Sequence, residues 1–390
     1  MTDVASAIER LVGLNAGTEI WWDSSPLIYE GWRAETLAGP DGTTAGEIDR
    51  IWDPAAGAGL LRGSTTNPPL AWGAIQHDRA RWDAYARAAA ADAPDATEHL
   101  WRVYGEVCRA AAARLLPLYE ASGGLYGHVC AQVDPRALTE TDAMLVQARR
   151  LHALAPNLMI KMPATREGIE GLRALSAEGI ATTATLCFSV SQAVAVAEAA
   201  RAGYREARAA GHSLAGARCT AALMLGRMED VPRFREEAAE RGIALSDADL
   251  RWAGVAVARR IYALYRERGY ETRLLLASMR LGPAVDEATR IWHLEQLAGG
   301  DVVFTIFPNI MASFLALYRE REIPPRIDEP VPGEVLERLL RVPYFRQAYE
   351  EDGVAPEAYV DLPGVQATAR QFCEAMETIE AYTRSVYEVR

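Results

Sequence analysis

Along this chain, short apolar runs alternate with longer stretches whose apolar positions recur at helical spacing. That order is expected of parallel β/α units. The runs fall at 19–23, 59–66, 127–133, the run ending at Lys161, 182–188, 218–225, 273–277 and 302–306. Between them the spacing predicts helices over 70–91 and 97–119 (broken near Pro94), 138–154, 166–176, 190–210, 231–241, 246–268 and 286–298. Asn67-Pro68-Pro69 forces the chain out of the second run, and Asp134-Pro135 ends the third. Ser189 is placed to cap the long Ala-rich helix that follows the fifth. Eight strands with eight crossovers predict an α/β (β/α)8 TIM barrel over 1–325. An insertion around 39–45 interrupts the first connection. The tail 326–390, proline-rich and then helical from about 364 to 388, forms a C-terminal helical extension packing on the barrel within a single structural domain.

In such a barrel chemistry sits at the C-terminal ends of the strands. Collected in order, those positions are Asp23, Asn67, Gln132, Lys161, Thr185, Ala222, Arg227, Ser278, Arg280 and Asn309. Of the 41 basic residues, Lys161 is the one lysine. Arginine cannot give up its proton near neutral pH, whereas a desolvated lysine becomes an amine nucleophile. Against this stands the simpler account that the composition favours arginine and one lysine survived. Its place at the end of an apolar run, Leu158-Met159-Ile160, favours the chemical role. A desolvated amine forms a Schiff base with a ketone, and the iminium then draws electrons from the adjacent C–C bond. Such chemistry needs a proton carrier nearby, and Asp23 is the available carboxylate. Thr185 is placed to hold a water and Asn67 to orient a substrate hydroxyl. Arg227, Ser278 and Arg280 fit a phosphate clamp. Each has a plain structural alternative: a solvated charge for either arginine, a cap for Asp23, a turn residue for Asn67.

Composition narrows the function class. The formal charge of −12 argues against a nucleic-acid footprint, which needs a basic face. No stretch has the length of uninterrupted apolar residues that a membrane span requires. The start of the chain shows no leader pattern, so a cytoplasmic location is expected. Five cysteines form no Cys-x-x-Cys pair, and those at 130, 187 and 219 lie in apolar runs as small hydrophobes. Six scattered histidines show no metal spacing, so neither metal nor cofactor is expected.

Three stretches resemble the transaldolase family: Leu158-Met159-Ile160-Lys161-Met162-Pro163-Ala164-Thr165, Gly63-Ser64-Thr65-Thr66-Asn67-Pro68-Pro69-Leu70, and Thr183-Ala184-Thr185-Leu186-Cys187-Phe188-Ser189 with Gln192. Gly226-Arg227 and Ala277-Ser278-Met279-Arg280 fall on that family's phosphate-binding positions. The resemblance runs over nearly the whole chain and is nearest to the longer bacterial subgroup. It implies cofactor-free transfer of a dihydroxyacetone unit from a ketose phosphate donor to an aldose phosphate acceptor, by a monomer or homodimer. Lys161 would form the Schiff base, Asp23 would move the proton of the donor hydroxyl, and Thr185 would help hold the catalytic water. Thr65, Asn67 and Thr183 would contact substrate, and Arg227, Ser278 and Arg280 would bind phosphate.

The pocket also departs from the family. Its third-strand glutamate falls on Gln132, its fifth-strand asparagine on Thr183 and its sixth-strand serine on Ala222. Related fructose-6-phosphate aldolases also carry glutamine at the third strand, with a sixth-strand tyrosine in compensation; here that position is Met224. Glu19 and Glu229 are candidate substitute carboxylates. Three functions are therefore in contention: a transaldolase-type transfer with altered substrate, a simpler aldolase that releases or uses free dihydroxyacetone, and a non-catalytic sugar-phosphate-binding barrel.

Overall fold

The computed structural model describes residues 5–53 and 57–389; residues 1–4, which bear on the leader expectation, lie outside it. Eight parallel strands close a barrel. They are β1 (Glu19–Trp22), β2 (Leu61–Ser64), β3 (His128–Gln132), β4 (Leu158–Pro163), β5 (Thr182–Cys187), β6 (Cys219–Met224), β7 (Arg273–Ala277) and β8 (Val303–Ile306). Each strand pairs with its sequence neighbours, and β8 closes on β1. Nearly every strand residue is buried, as a strand covered by side chains inside the barrel and helices outside must be. That is why these segments read as short continuous apolar runs.

Register sets the site. Gln132 on β3 pairs with Lys161 on β4, Lys161 with Thr183 on β5, and Thr183 with Thr220 on β6. Period-two alternation then puts Gln132, Lys161, Thr183 and Thr185 on the inner face. The inward Trp21 ring crosses to β2, where an added Cβ on Gly63 would come 2.5 Å from it; only glycine lets the ring lie there.

At the N-terminal end of the barrel Glu19 is buried between two arginines, 2.6 Å from Arg218 and 2.8 Å from Arg273. Trp21 donates its indole N–H to the same carboxylate at 2.9 Å. Glu19 is thus a structural plug at the wrong end of β1 for chemistry, which removes it as a substitute proton carrier.

Two expectations fail locally. The segment predicted as a helix over 286–298 holds a small antiparallel hairpin (Ala284–Val285 with Ala288–Thr289) and a short helix, Trp292–Glu295. Asp286 and Glu287 take φ of 49° and 63°, the two successive left-handed residues of a tight hairpin turn, which no helix accommodates. The predicted helix 70–91 is two helices, because Asp78 leaves helical geometry (φ −129°, ψ 66°) and caps Arg79–Ala91. Further helices escape sequence reading, among them Ala7–Gly13, Tyr29–Ala38 and Ala45–Ile51 around the first strand, and Gly333–Leu340 and Pro343–Tyr349 in the tail.

The C-terminal helix (Pro363–Tyr387) packs against the helices Pro68–His77, Arg79–Ala91 and Ala96–Ala121 and reaches β5. Its Phe372 is 1% exposed and stands over the strand ends, its ring centre 5.9 Å from Lys161 Nζ and 5.8 Å from the Arg227 guanidinium carbon. Truncating a buried ring of this size, as in Phe372→Ala, is expected to cost about 3–5 kcal/mol in chemical denaturation. Among the described residues no helix is long and apolar enough to cross a membrane.

Candidate active site

Lys161 lies four residues into β4, with its amine near the C-terminal ends of the strands. The side chain is 6% exposed. Nζ donates to the Thr66 carbonyl at 3.1 Å. Burial pushes the ammonium below the ordinary lysine range, with Cys130 and Asp23 working against that shift and Arg227 adding to it. The result favours the free amine, the form that attacks a carbonyl.

Asp23 follows the last residue of β1 and is 5% exposed. Thr65 donates its hydroxyl to Asp23 Oδ1 at 2.6 Å. Thr65 has one hydroxyl proton, so the 2.6 Å contact with Thr305 is donated by Thr305. Burial pushes the Asp23 carboxyl up to about 6, although the Thr65 hydrogen bond and the charges of Lys161, Arg227 and Arg280 pull it down. A carboxyl that titrates just below neutral is matched to proton transfer at cellular pH.

Two inner-face oxygens on the strands flanking β4 have no hydrogen-bond partner among the described residues: Gln132 Oε1 and Thr185 Oγ1. Buried polar atoms are rarely left unsatisfied, so these two are fit to receive a water or a substrate hydroxyl. Thr183 is engaged otherwise, accepting the Thr220 hydroxyl at 2.6 Å. Asn67 proves to be the cap of the helix Pro68–His77: its Oδ1 accepts the Leu70 N–H at 2.9 Å. Its side-chain oxygen is therefore committed, and the amide NH2 is what it has to offer a ligand. Ala222 and Met224 on β6 are buried and aprotic, so they supply no proton.

The cationic arms come from β6 and β7. Arg227 begins a short helix, Arg227–Asp230, directly after β6. Ser278 follows β7 in left-handed backbone (φ 60°), and Arg280 stands two residues on. The arms touch: Gly226 N–H donates to the Ser278 carbonyl at 3.2 Å, and a Cβ on Gly226 would lie 2.3 Å from that carbonyl oxygen. Glycine is thus required for the two arms to meet. Arg280 pairs with Asp230 at 2.5 Å. Arg227 Nη1 donates to the neutral Gln371 amide of the C-terminal helix at 2.6 Å, and its buried Nε has no partner among the described residues. Burial and the neighbouring charge of Arg280 both press on the Arg227 cation. Two neighbouring guanidiniums, one of them paired only with a neutral amide, are the donor set that an anion would need. Asp230→Asn would free Arg280 of its internal competitor, and inorganic phosphate is expected to bind a few-fold more tightly by calorimetry.

Beyond the C-terminal ends of β6, β7 and β8 these arms border a cavity of about 660 Å³ lined by Glu229, Asp230, Arg251, Arg280, Phe307 and Asn309. Glu229 is largely buried there and pushed up to about 7 by burial. Sequence reading passes over Arg251, His293, Gln371 and Phe372. They lie on helices distant in sequence from the strand ends, and no local pattern marks them. Cys130, beside Lys161, is a buried thiol pushed up to about 12, so it is no competing nucleophile.

The comparisons with known proteins agree with this geometry. The family model described as transaldolase/fructose-6-phosphate aldolase matches residues 41–380. A transaldolase of Mycobacterium ulcerans is 33% identical over 269 residues, covering 68% of this chain and 66% of that protein. Transaldolases of Mycolicibacterium smegmatis and Mycobacterium tuberculosis are 35% and 37% identical, each match covering 53% of this chain and 55% of the relative. These matches span less than two thirds of each relative's length. A family match from the first connection to the C-terminal helix, on a closed barrel with its one lysine in β4, places this chain in the transaldolase/fructose-6-phosphate aldolase family.

Proposed function

We propose that the protein is a Schiff-base enzyme of the transaldolase type, transferring a dihydroxyacetone unit between sugar phosphates. The observation that carries this reading is the chain's one lysine, buried at the barrel mouth with its amine favoured and a carboxyl that titrates near 6 beside it. In this reading Lys161 Nζ adds to the ketose carbonyl and water leaves, giving the iminium. Asp23 accepts the proton of the hydroxyl on the carbon that departs. The C–C bond breaks toward the iminium nitrogen, releasing an aldose phosphate and leaving an enamine on Lys161. The enamine then adds to a second aldose phosphate, Asp23 returns the proton, and water releases the new ketose. Thr185 and Gln132 supply free oxygens to hold that water, and Thr65 holds Asp23 in place. Asn67 and Thr183 contact the bound sugar, while Arg227, Ser278 and Arg280 take the phosphate.

Gln132 favours a second reading, a lyase that releases free dihydroxyacetone. Glutamine holds a water without exchanging a proton with it, so proton traffic falls on Asp23 alone. Incubation with fructose 6-phosphate, with and without a labelled aldose phosphate, separates the two. Label appearing in ketose only when the acceptor is present supports transfer. Free dihydroxyacetone without acceptor supports the lyase. Neither product from any ketose phosphate tested would leave only a binding barrel.

A further inference from the structure

His293 is 0% exposed and lies on the short helix that follows the hairpin after β7. The backbone N–H of Arg280 donates to its Nδ1 at 3.1 Å. A peptide N–H can only donate, so Nδ1 carries the lone pair and the ring proton sits on Nε2. Burial, with the charges of Arg251 and Arg280, holds the imidazole well below its usual range and hence neutral. Nε2 has no hydrogen-bond partner among the described residues; Glu229 Oε1 lies 3.9 Å away. Glu229 sits two residues past Arg227 on the other cationic arm and accepts from Arg251 Nη1 at 2.9 Å. Arg251, from the long helix Asp247–Arg268, donates its other nitrogen to the Leu281 carbonyl at 2.8 Å. The N–H of Arg280 and the C=O of Leu281 are thus both gripped by side chains from other elements, and Glu229 stands between the two grips.

We propose that His293, Glu229 and Arg251 form a brace fixing the arm of Ser278 and Arg280 for phosphate, with His293 its central positioning residue. The inference rests on the phosphate grip proposed above. The arm needs such a brace: Ser278 holds left-handed backbone unfavourable for a residue with a Cβ, and a free arm relaxes out of it. The brace touches neither Lys161 nor Asp23, so its loss acts on the phosphate end of the substrate alone. It also ties the two arms together, since Glu229 belongs to the arm of Arg227.

The test compares His293→Leu, which removes the acceptor for Arg280 N–H, with His293→Asn, whose amide oxygen stands where Nδ1 stood. Borohydride trapping on Lys161 is titrated with a ketose phosphate and, separately, with unphosphorylated dihydroxyacetone. For His293→Leu the half-saturating ketose phosphate is expected to rise about tenfold, the scale of one buried hydrogen bond. Trapping of dihydroxyacetone stays unchanged, and His293→Asn recovers most of the loss. A half-saturation unchanged for ketose phosphate, or raised equally for both ketones, overturns the proposal. Melting curves check folding. If the leucine variant does not fold, Glu229→Gln takes its place, with the same selective rise expected and the same contrary results. Arg280→Ala separates the two levels: if it leaves ketose phosphate half-saturation unchanged, the phosphate grip itself is wrong. If it raises that value while the His293 variants do not, only the brace is wrong.

Discussion

Lys161→Met is expected to abolish turnover of any ketose phosphate, by at least about 10⁴-fold, the scale of losing a covalent nucleophile. Lys161→Arg fails equally, because a guanidinium stays protonated and cannot attack. The fold survives. The buried lysine is held below its ordinary range, so between that lowered value and the ordinary lysine range the unfolded chain binds more protons than the native one, and stability rises with pH across that window; below it the cost of burying the ammonium is fully present. The wild type therefore carries a penalty at neutral pH that methionine removes. Melting at pH 7 is expected to show the inactive methionine variant at or above the wild-type Tm. A large drop would mean that the lysine is mainly structural.

Asp23→Asn has the second largest expected effect, a loss of about 10²- to 10⁴-fold in kcat, as for removal of a general base. In the proposed mechanism the wild type acts through the carboxylate, so its rate is expected to fall with acid below pH about 6. Stability runs the other way. A carboxyl raised from 3.8 to about 6 binds its proton more tightly in the folded state. Its favourable contribution is fully present below the unfolded value and is lost as pH rises through about 6. Above that pH the buried charge opposes folding by a few kcal/mol at most, at about 1.4 kcal/mol for each tenfold gain in proton affinity. Asparagine keeps the Thr65 hydrogen bond without the charge. The variant is thus expected to be strongly impaired at pH 8 yet more stable than wild type there, with little difference near pH 4, as urea melts at the two pH values would show. A variant of normal activity would transfer proton movement to another group, with Glu229 the nearest alternative in chemistry.

The barrel is legible in the sequence because parallel strands buried on both faces leave a strong trace: short apolar runs, most of them closed by Pro, Gly or Asn. The lysine is legible because an arginine-rich chain gives it no reason to be there except its amine. Arg227, Ser278 and Arg280 are found by position alone, just past the ends of β6 and β7. What is not legible is long-range. Gln371 and Phe372 lie on a helix whose apolar stripe looks like any core-facing stripe, and only the closed structure brings Phe372 over Lys161 and Gln371 to Arg227. His293 is one of six scattered histidines until the hairpin brings it to the Arg280 backbone. That hairpin itself reads as helix, because the chain around Asp286 and Glu287 carries helical spacing while the backbone puts both residues at positive φ. For Asn67, a ligand role and a cap role leave the same trace before a proline; the structure commits its oxygen to the cap.

In the proposed mechanism Lys161 forms the Schiff base. The most direct measurement is borohydride reduction in the presence of a ketose phosphate, followed by mass spectrometry of the intact protein and of the peptide spanning Lys161. One stable adduct per chain is expected, carried on Lys161 and lost in Lys161→Met. An unmodified Lys161 at saturating ketose phosphate, or an adduct that persists in the methionine variant, would contradict it.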